Sequence, residues 1–219
     1  MSNDFSSAKN SFPLFYDYMY NLLYSIDLLF VSAGYLLTLK IFDSHIRTTE
    51  PTLFGWVVAL HCYQPFWSLF SNSYITYDDN YYWGNMLAEN YQLYKFYGSV
   101  ILILITIYVL ATISFGVRFS NLTNRGIITC GPYKVMKHPA YISKNISWWL
   151  ISLPFISLES PVLALKHTLL LIVLNIVYYL RAITEERHLS LDPTYVAYAT
   201  AMNDKSIFKG LYTKLPFLK

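Results

Sequence analysis

An all-α, polytopic membrane protein of about five transmembrane helices is what this sequence predicts, ending in a helical hairpin with a cap on the cytosolic side. Three observations predict it. The 219 residues are 55% hydrophobic and only 13% charged, against roughly 25% charged in a typical soluble domain. Five apolar segments reach or approach the ~20 helical residues that a ~30 Å hydrocarbon core requires. Lys and Arg are also divided unevenly between alternate loops, as the positive-inside tendency demands. The mean hydropathy of +0.35 and the 18% aromatic content agree with a single integral membrane domain over 1–219.

The first segment runs from about Tyr18 to Phe42 and the second from about Thr52 to Phe70. The third spans about Phe96–Val117, the fourth about Pro139–Leu158, and the fifth about Pro161–Ile183. The fourth is the weakest, because Lys144 and Asn145 interrupt its start and Pro154 sits near its end. Only Glu159-Ser160 separates it from the fifth, so the two read as a tight hairpin. Asp27 and His61 fall inside the first two spans, where each is costly unless paired or facing a cavity. A pair across those helices and a placement near helix ends or trapped water both satisfy that requirement. Neither residue is assigned to catalysis.

Of 16 Lys and Arg, Lys9, Lys95 and Lys166 lie on one side, and the other 13 flank the first loop, third loop or C-terminal tail. The third loop and tail are therefore expected in the cytoplasm and the N-terminus outside. The second loop, Ser71–Asn90, carries Asp78, Asp79 and Glu89 among many aromatics and reads as an outer interfacial belt with room for a re-entrant stretch. Residues 1–12 lack the basic start and cleavage site of a signal peptide. Cys62 and Cys130 fall in different environments, which argues against a disulfide. The net charge of +3 is too small and scattered for nucleic acid.

The stretch Gly131–Tyr141 concentrates chemistry. Pro139 suits the first position of a helix, and it drives His138 toward an extended conformation at the helix start. Lys137, His138 and the free N–H groups of the first turn then form an anion-binding arrangement. Tyr141, Asn145 and Trp148 follow on one face, polar at its mouth and aromatic deeper in. After the fifth span the helix continues through Arg181 to Leu189, placing Arg181, Glu185 and His188 on one face with Glu186 beside them. Asp192-Pro193 reads as an N-cap and first helical position, opening a short interfacial helix in which Tyr195 and Tyr198 stack.

Taken together, GPYKVMKHPAY, a helical hairpin and then TEERHLSLDPTYVAY resemble the isoprenylcysteine carboxyl methyltransferase family and its bacterial relatives. Those proteins carry G-P-Y-x-x-x-[RK]-H-P-x-Y, a hydrophobic hairpin, E-E-x-x-L and Y-x-x-Y. The resemblance covers roughly Asn124–Met202, with Lys137 standing where Arg is commoner. It implies a membrane-embedded S-adenosylmethionine-dependent methyltransferase, with N-terminal helices over 1–120 and a cofactor-binding region over 121–219. Carried over by position, cofactor contacts come from Gly131, Pro132, Tyr133, Lys137, His138, Tyr141, Glu185, Glu186, Tyr195 and Tyr198. The same resemblance implies a lipid-like or prenylcysteine-type carboxylate, or a thiol, entering from the bilayer. Methyl transfer from a sulfonium to such an anion destroys two charges and is favoured by a low-dielectric site, so no general base is assigned. Localisation in a bacterial inner membrane or the endoplasmic reticulum follows, with the cofactor side facing the cytoplasm.

The nearest rival is a membrane NADPH-dependent reductase of the sterol reductase type, although five Arg in the chain are few for binding a dinucleotide. A non-catalytic transport or assembly protein is the rival from another class. Eight glycines without G-x-G-x-x-G exclude a soluble Rossmann methyltransferase. Five scattered histidines fall short of the clusters a membrane di-iron enzyme requires.

Overall fold

A computed structural model describes residues 3–68, 83–156 and 160–205, with side chains from Ser11 onward. Helix α1 (Asn3–Leu36) leads to a strand β1 (Thr48–Thr49) and α2 (Leu53–Leu60). Helices α3 (Trp83–Leu87) and α4 (Tyr91–Phe115) follow, then β2 (Thr123–Asn124), α5 (Pro139–Ser152), α6 (Pro161–Leu189) and α7 (Pro193–Lys205). The strands pair antiparallel, Thr48 opposite Asn124 and Thr49 opposite Thr123, so the first and third loops share one end of the molecule.

The described chain is mostly helical, with one short pair of strands, but the five predicted spans do not all appear as long helices. Among the described residues, two helices, α4 with its short extension to Arg118 and α6, are long and apolar enough to cross a membrane. Helix α1 is long, yet Asn21, Ser25 and Asp27 interrupt its apolar run. It starts earlier than expected and stops at Leu36, because buried Ser44 donates its hydroxyl to the Leu37 carbonyl and accepts the Leu39 N–H at 3.1 Å. The second predicted span is broken after Leu60, since Pro65 has no N–H and its ring would clash with the carbonyl four residues before it. The fourth ends at Ser152, with Leu153 left-handed at φ 41° before Pro154. Its 14 residues give about 21 Å of helix. The connection to α6 is therefore 153–160 rather than two residues, and the belt expected over 71–90 lies mostly outside the described residues.

Two packed clusters hold the fold. In the first, fully buried Trp83 sits between Tyr16 of α1, at 5.0 Å between ring centroids, and Tyr94 and Tyr97 of α4, at 4.7 and 5.6 Å. Helix α4 is the central post, with α1 on one side and α5 on the other. The second cluster joins α2 and α6 around Leu171, Leu174, Tyr178 and Cys62. Helices α5 and α6 meet mainly through long side chains: Trp149 Nε1 donates to Asn175 Oδ1 at 3.0 Å, and Trp148 stands edge-on to Tyr178 at 5.4 Å. The space this leaves between them becomes part of a cavity. The outer face of α6 exposes Val162, Leu165, Leu169, Ile172 and Ile176 in one stripe.

Candidate functional site

The third loop is shaped by Gly131, whose φ of +57° is strained for any other residue. Its α-carbon also lies against Ser114 Oγ, where a side chain would collide. Pro132 opens the 3-10 turn Gly131–Lys134, which buries Tyr133 edge-on against Phe115 at 5.3 Å. Burial pushes the Tyr133 phenol up from its usual range, so it stays neutral. The Tyr198 hydroxyl donates to the Tyr133 carbonyl at 2.8 Å and ties α7 to this turn. The Tyr195 and Tyr198 rings are neighbours, 6.0 Å apart, but tilted by 53° rather than stacked. Asp192 accepts the Thr194 N–H at 2.9 Å, confirming the start of α7.

Pro139 takes the first position of α5 with His138 as N-cap, as the sequence predicts. The surroundings differ from those of the expected anion site. Glu186 accepts from Lys137 Nζ, 2.9 Å from Oε1, and from His138 Nε2 at 2.7 Å. The Lys137 side chain is only 3% exposed. The positive end of α5 is thus already neutralised from within the chain. The partners of Glu186 are Lys137 and His138, and the brace of the Gly131–Tyr133 turn is Tyr198. Stacking of the His138 ring on Tyr141, 5.5 Å apart and 5° from parallel, sets the direction of the tyrosine.

Tyr141 OH then donates to Glu185 Oε2 at 2.5 Å. Arg181, Glu185 and His188 do share one face of α6, and all three line the cavity. Arg181 is buried and donates to Tyr63 OH at 2.7 Å and Asn121 Oδ1 at 2.5 Å, with its guanidinium over the rings of Tyr63 and Tyr141. His188 Nε2 lies 2.9 Å from Thr48 Oγ1. The proposed Asp27–His61 pair does not form. Asp27 accepts instead from Tyr108 OH at 2.8 Å and Thr112 Oγ1 at 2.6 Å, while His61 stacks on Phe66 and its Nδ1 is 2.7 Å from the Val57 carbonyl.

These groups surround one continuous cavity of about 610 Å³. Of the residues predicted for the site, Tyr133, Lys137, His138, Tyr141, Glu185, Tyr195 and Tyr198 line it. Gly131, Pro132 and Glu186 hold those residues from behind. The cavity continues from this end between α1, α4, α5 and α6 to Tyr20, Tyr24, Lys144 and Trp148.

Several lining residues escaped the sequence reading. Glu50, 4% exposed, accepts Arg187 Nη2 at 2.7 Å and the Thr52 N–H at 3.1 Å, and Thr52 donates its hydroxyl as well. Burial alone would raise this carboxyl, but the bonds from Thr52 and Arg187 outweigh it and hold it below the ordinary range. Gly55 allows the approach, since a Cβ there would strike the Glu50 carboxylate. Arg125 is buried in the loop and donates to the carbonyls of Gly34 and Phe119 at 2.6 and 3.2 Å. Lys144 sits over the rings of Tyr108 and Trp148 at 5.1 and 5.2 Å. A lysine inside an apolar helix is a detectable signal, whereas nothing local marks Arg125 or Asn121. Among the described residues Glu185 and Asp27 have no cation, and Arg125, Lys144 and Arg181 no carboxylate, within ion-pair distance. No three His, Cys, Asp or Glu among them gather as a metal site. Compared with known proteins, the chain matches no family model, no curated protein and no solved structure.

Proposed function

We propose that this chain is a membrane-embedded S-adenosylmethionine-dependent methyltransferase, acting on a lipid-like acceptor with a carboxylate or thiol. One observation carries the reading: Tyr133, Lys137, His138 and Tyr141, Glu185, and Tyr195 and Tyr198, distant in sequence, converge on one cavity that continues into an aromatic compartment. Five crossings, with the third loop and tail in the cytoplasm, make the rest of this reading. The path of the chain supports it, because Glu50 lies beside the end of α4 and Trp83 beside its start. The apolar outer stripe of α6 suits lipid.

The residues fit the cofactor by the chemistry of the donor set. S-adenosylmethionine carries a net positive charge, and Glu185 is a cavity carboxylate without a cation of its own. It suits the ammonium or the ribose diol. The rings of Tyr133, Tyr141, Tyr195 and Tyr198 suit adenine and sulfonium methyls. Lys137 and His138, being paired with Glu186, orient this end of the hairpin instead of supplying free charge. Arg181, with only neutral partners, is the better donor for a carboxylate. When bound, the cofactor supplies an electrophilic methyl group. The protein's contribution is to hold the acceptor in line and exclude water.

A nicotinamide dinucleotide is the second reading, favoured by Arg125 and Arg181 as two cavity guanidiniums without carboxylates. Calorimetric titration of the purified full chain with S-adenosylmethionine and with NADPH separates the two. Cofactor heat is expected for S-adenosylmethionine, and Glu185→Gln should weaken it at least about tenfold, as befits a charge-assisted bond of ~1.5–3 kcal/mol. Binding of NADPH alone by the folded protein would overturn the reading.

A further inference from the structure

The inner compartment contains two opposite charges that are kept apart. Lys144 projects from α5 and Asp27 from α1, and both line the same cavity. No ion pair joins them. Tyr108 stands between: the Lys144 ammonium rests 5.1 Å from its ring centroid, and its hydroxyl donates to Asp27 Oδ2 at 2.8 Å. Thr112 occupies Oδ1 at 2.6 Å, so Asp27 is aimed by two neutral donors rather than neutralised. Trp148 and Tyr178 complete an aromatic cage on Lys144 at 5.2 and 6.0 Å.

Such an arrangement is costly when nothing occupies the space between the charges. A lysine stem is long and flexible, and a free choice would bring it onto the carboxylate. Charges in an apolar, membrane-level compartment carry a large desolvation cost that a partner offsets. Aromatic faces offset part of the ammonium's share, yet each carboxylate oxygen keeps a further lone pair and the ammonium keeps all three N–H donors. A ligand with only an anion would satisfy Lys144 and face repulsion from Asp27. A ligand with only a cation would do the reverse. A headgroup carrying both charges satisfies the two at once.

From this geometry we infer that the inner compartment binds the zwitterionic headgroup of an amphiphile, its anion at Lys144 and its ammonium at Asp27. As the acceptor's subsite this rests on the methyltransferase reading, and as a binding site it rests on the geometry alone. The head is a primary ammonium and an anionic group a few bonds apart, on an apolar tail. Tyr108 is a positioning residue, fixing the separation of the two charges. Lys144→Met keeps the stem length of the side chain and removes the ammonium, while Asp27→Asn keeps the shape and removes the charge.

The test uses purified full-length protein in a neutral detergent without cofactor. Three probes of matched chain length are titrated: an alkylamine, an alkyl phosphate and a lysophosphatidylethanolamine, read by tryptophan fluorescence. The two-charge probe should bind at least about tenfold more tightly than either single-charge probe, one charge-assisted contact being worth at least that much. Lys144→Met should reduce that probe to the affinity of the amine, and Asp27→Asn to that of the phosphate. Equal affinity for all three probes in wild-type protein overturns the inference and needs no variant to fold. A preference that survives both substitutions overturns it too. Binding of S-adenosylmethionine without the two-charge preference sinks this inference alone, and the preference without cofactor binding sustains it while sinking the methyltransferase reading.

Discussion

Lys137 and Glu186 form an ion pair 2.9 Å long that closes one end of the α5–α6 hairpin, with the Lys137 side chain almost fully buried. The same carboxylate holds His138. Breaking a buried pair from one side costs about 3–5 kcal/mol, because the remaining charge keeps its desolvation cost. Glu186 is 25% exposed, so the lower end applies. Glu186→Gln should lower the melting temperature of the detergent-solubilised protein by several degrees, and the double variant Lys137→Met/Glu186→Leu should recover most of it. A double variant as unstable as the single one would show that the pair is not what holds the hairpin.

The Gly131 turn should be separable from that pair. Forcing a Cβ into left-handed backbone costs about 1–2 kcal/mol, and here it also meets Ser114 Oγ. Gly131→Ala is expected to speed tryptic cleavage at exposed Lys134. Tyr198→Phe removes the bond to the Tyr133 carbonyl, worth about 0.5–1.5 kcal/mol, and should give a smaller effect in the same direction. Cleavage rates measured on the two variants rank the contributions.

Cys130 is exposed in the third loop and Cys62 is buried. On the proposed orientation, with that loop in the cytoplasm, a membrane-impermeant maleimide should label Cys130 in inverted vesicles and leave it unmodified in intact cells. Cys62 serves as the unreactive internal control. Labelling of Cys130 from outside the cell would reverse the orientation.

Asp192 gives a pH dependence. The Thr194 N–H, and the Asn124 side chain to a smaller extent, hold its carboxyl below the ordinary range. Its folded value is therefore below its unfolded value of ~3.9. The stabilisation is complete above the unfolded value and is lost as pH falls through the folded one. The gap in melting temperature between wild type and Asp192→Asn should be widest above about pH 5 and close toward about pH 3.

Much of the site end was legible in the sequence because its signals are local. Pro139 and Asp192-Pro193 mark helix starts through backbone chemistry confined to a few residues. The continuation of α6 through Arg181, Glu185 and His188 follows from helical spacing alone. The partners of these residues were not legible, because they come from far along the chain. Arg187 meets Glu50 across 137 positions and Arg181 meets Tyr63 across 118. Which of Glu185 and Glu186 meets Lys137 depends on the relative rotation of α5 and α6, which no local signal gives. Apolar runs were overextended at Pro65 and Pro154, where composition stayed hydrophobic while the backbone could not stay helical.

The strap at this end of the molecule has a consequence for the order of assembly. Glu50, Thr48 and Asn124 are held by Arg187, His188 and Asp192 respectively. Their partners are synthesised last among the spans and loops involved, so the cavity cannot close while the chain is still emerging. Until then Glu50 has no guanidinium and β1–β2 no anchor on α6. A nascent chain arrested before Arg187 would leave Glu50 with Thr52 in place of its guanidinium partner.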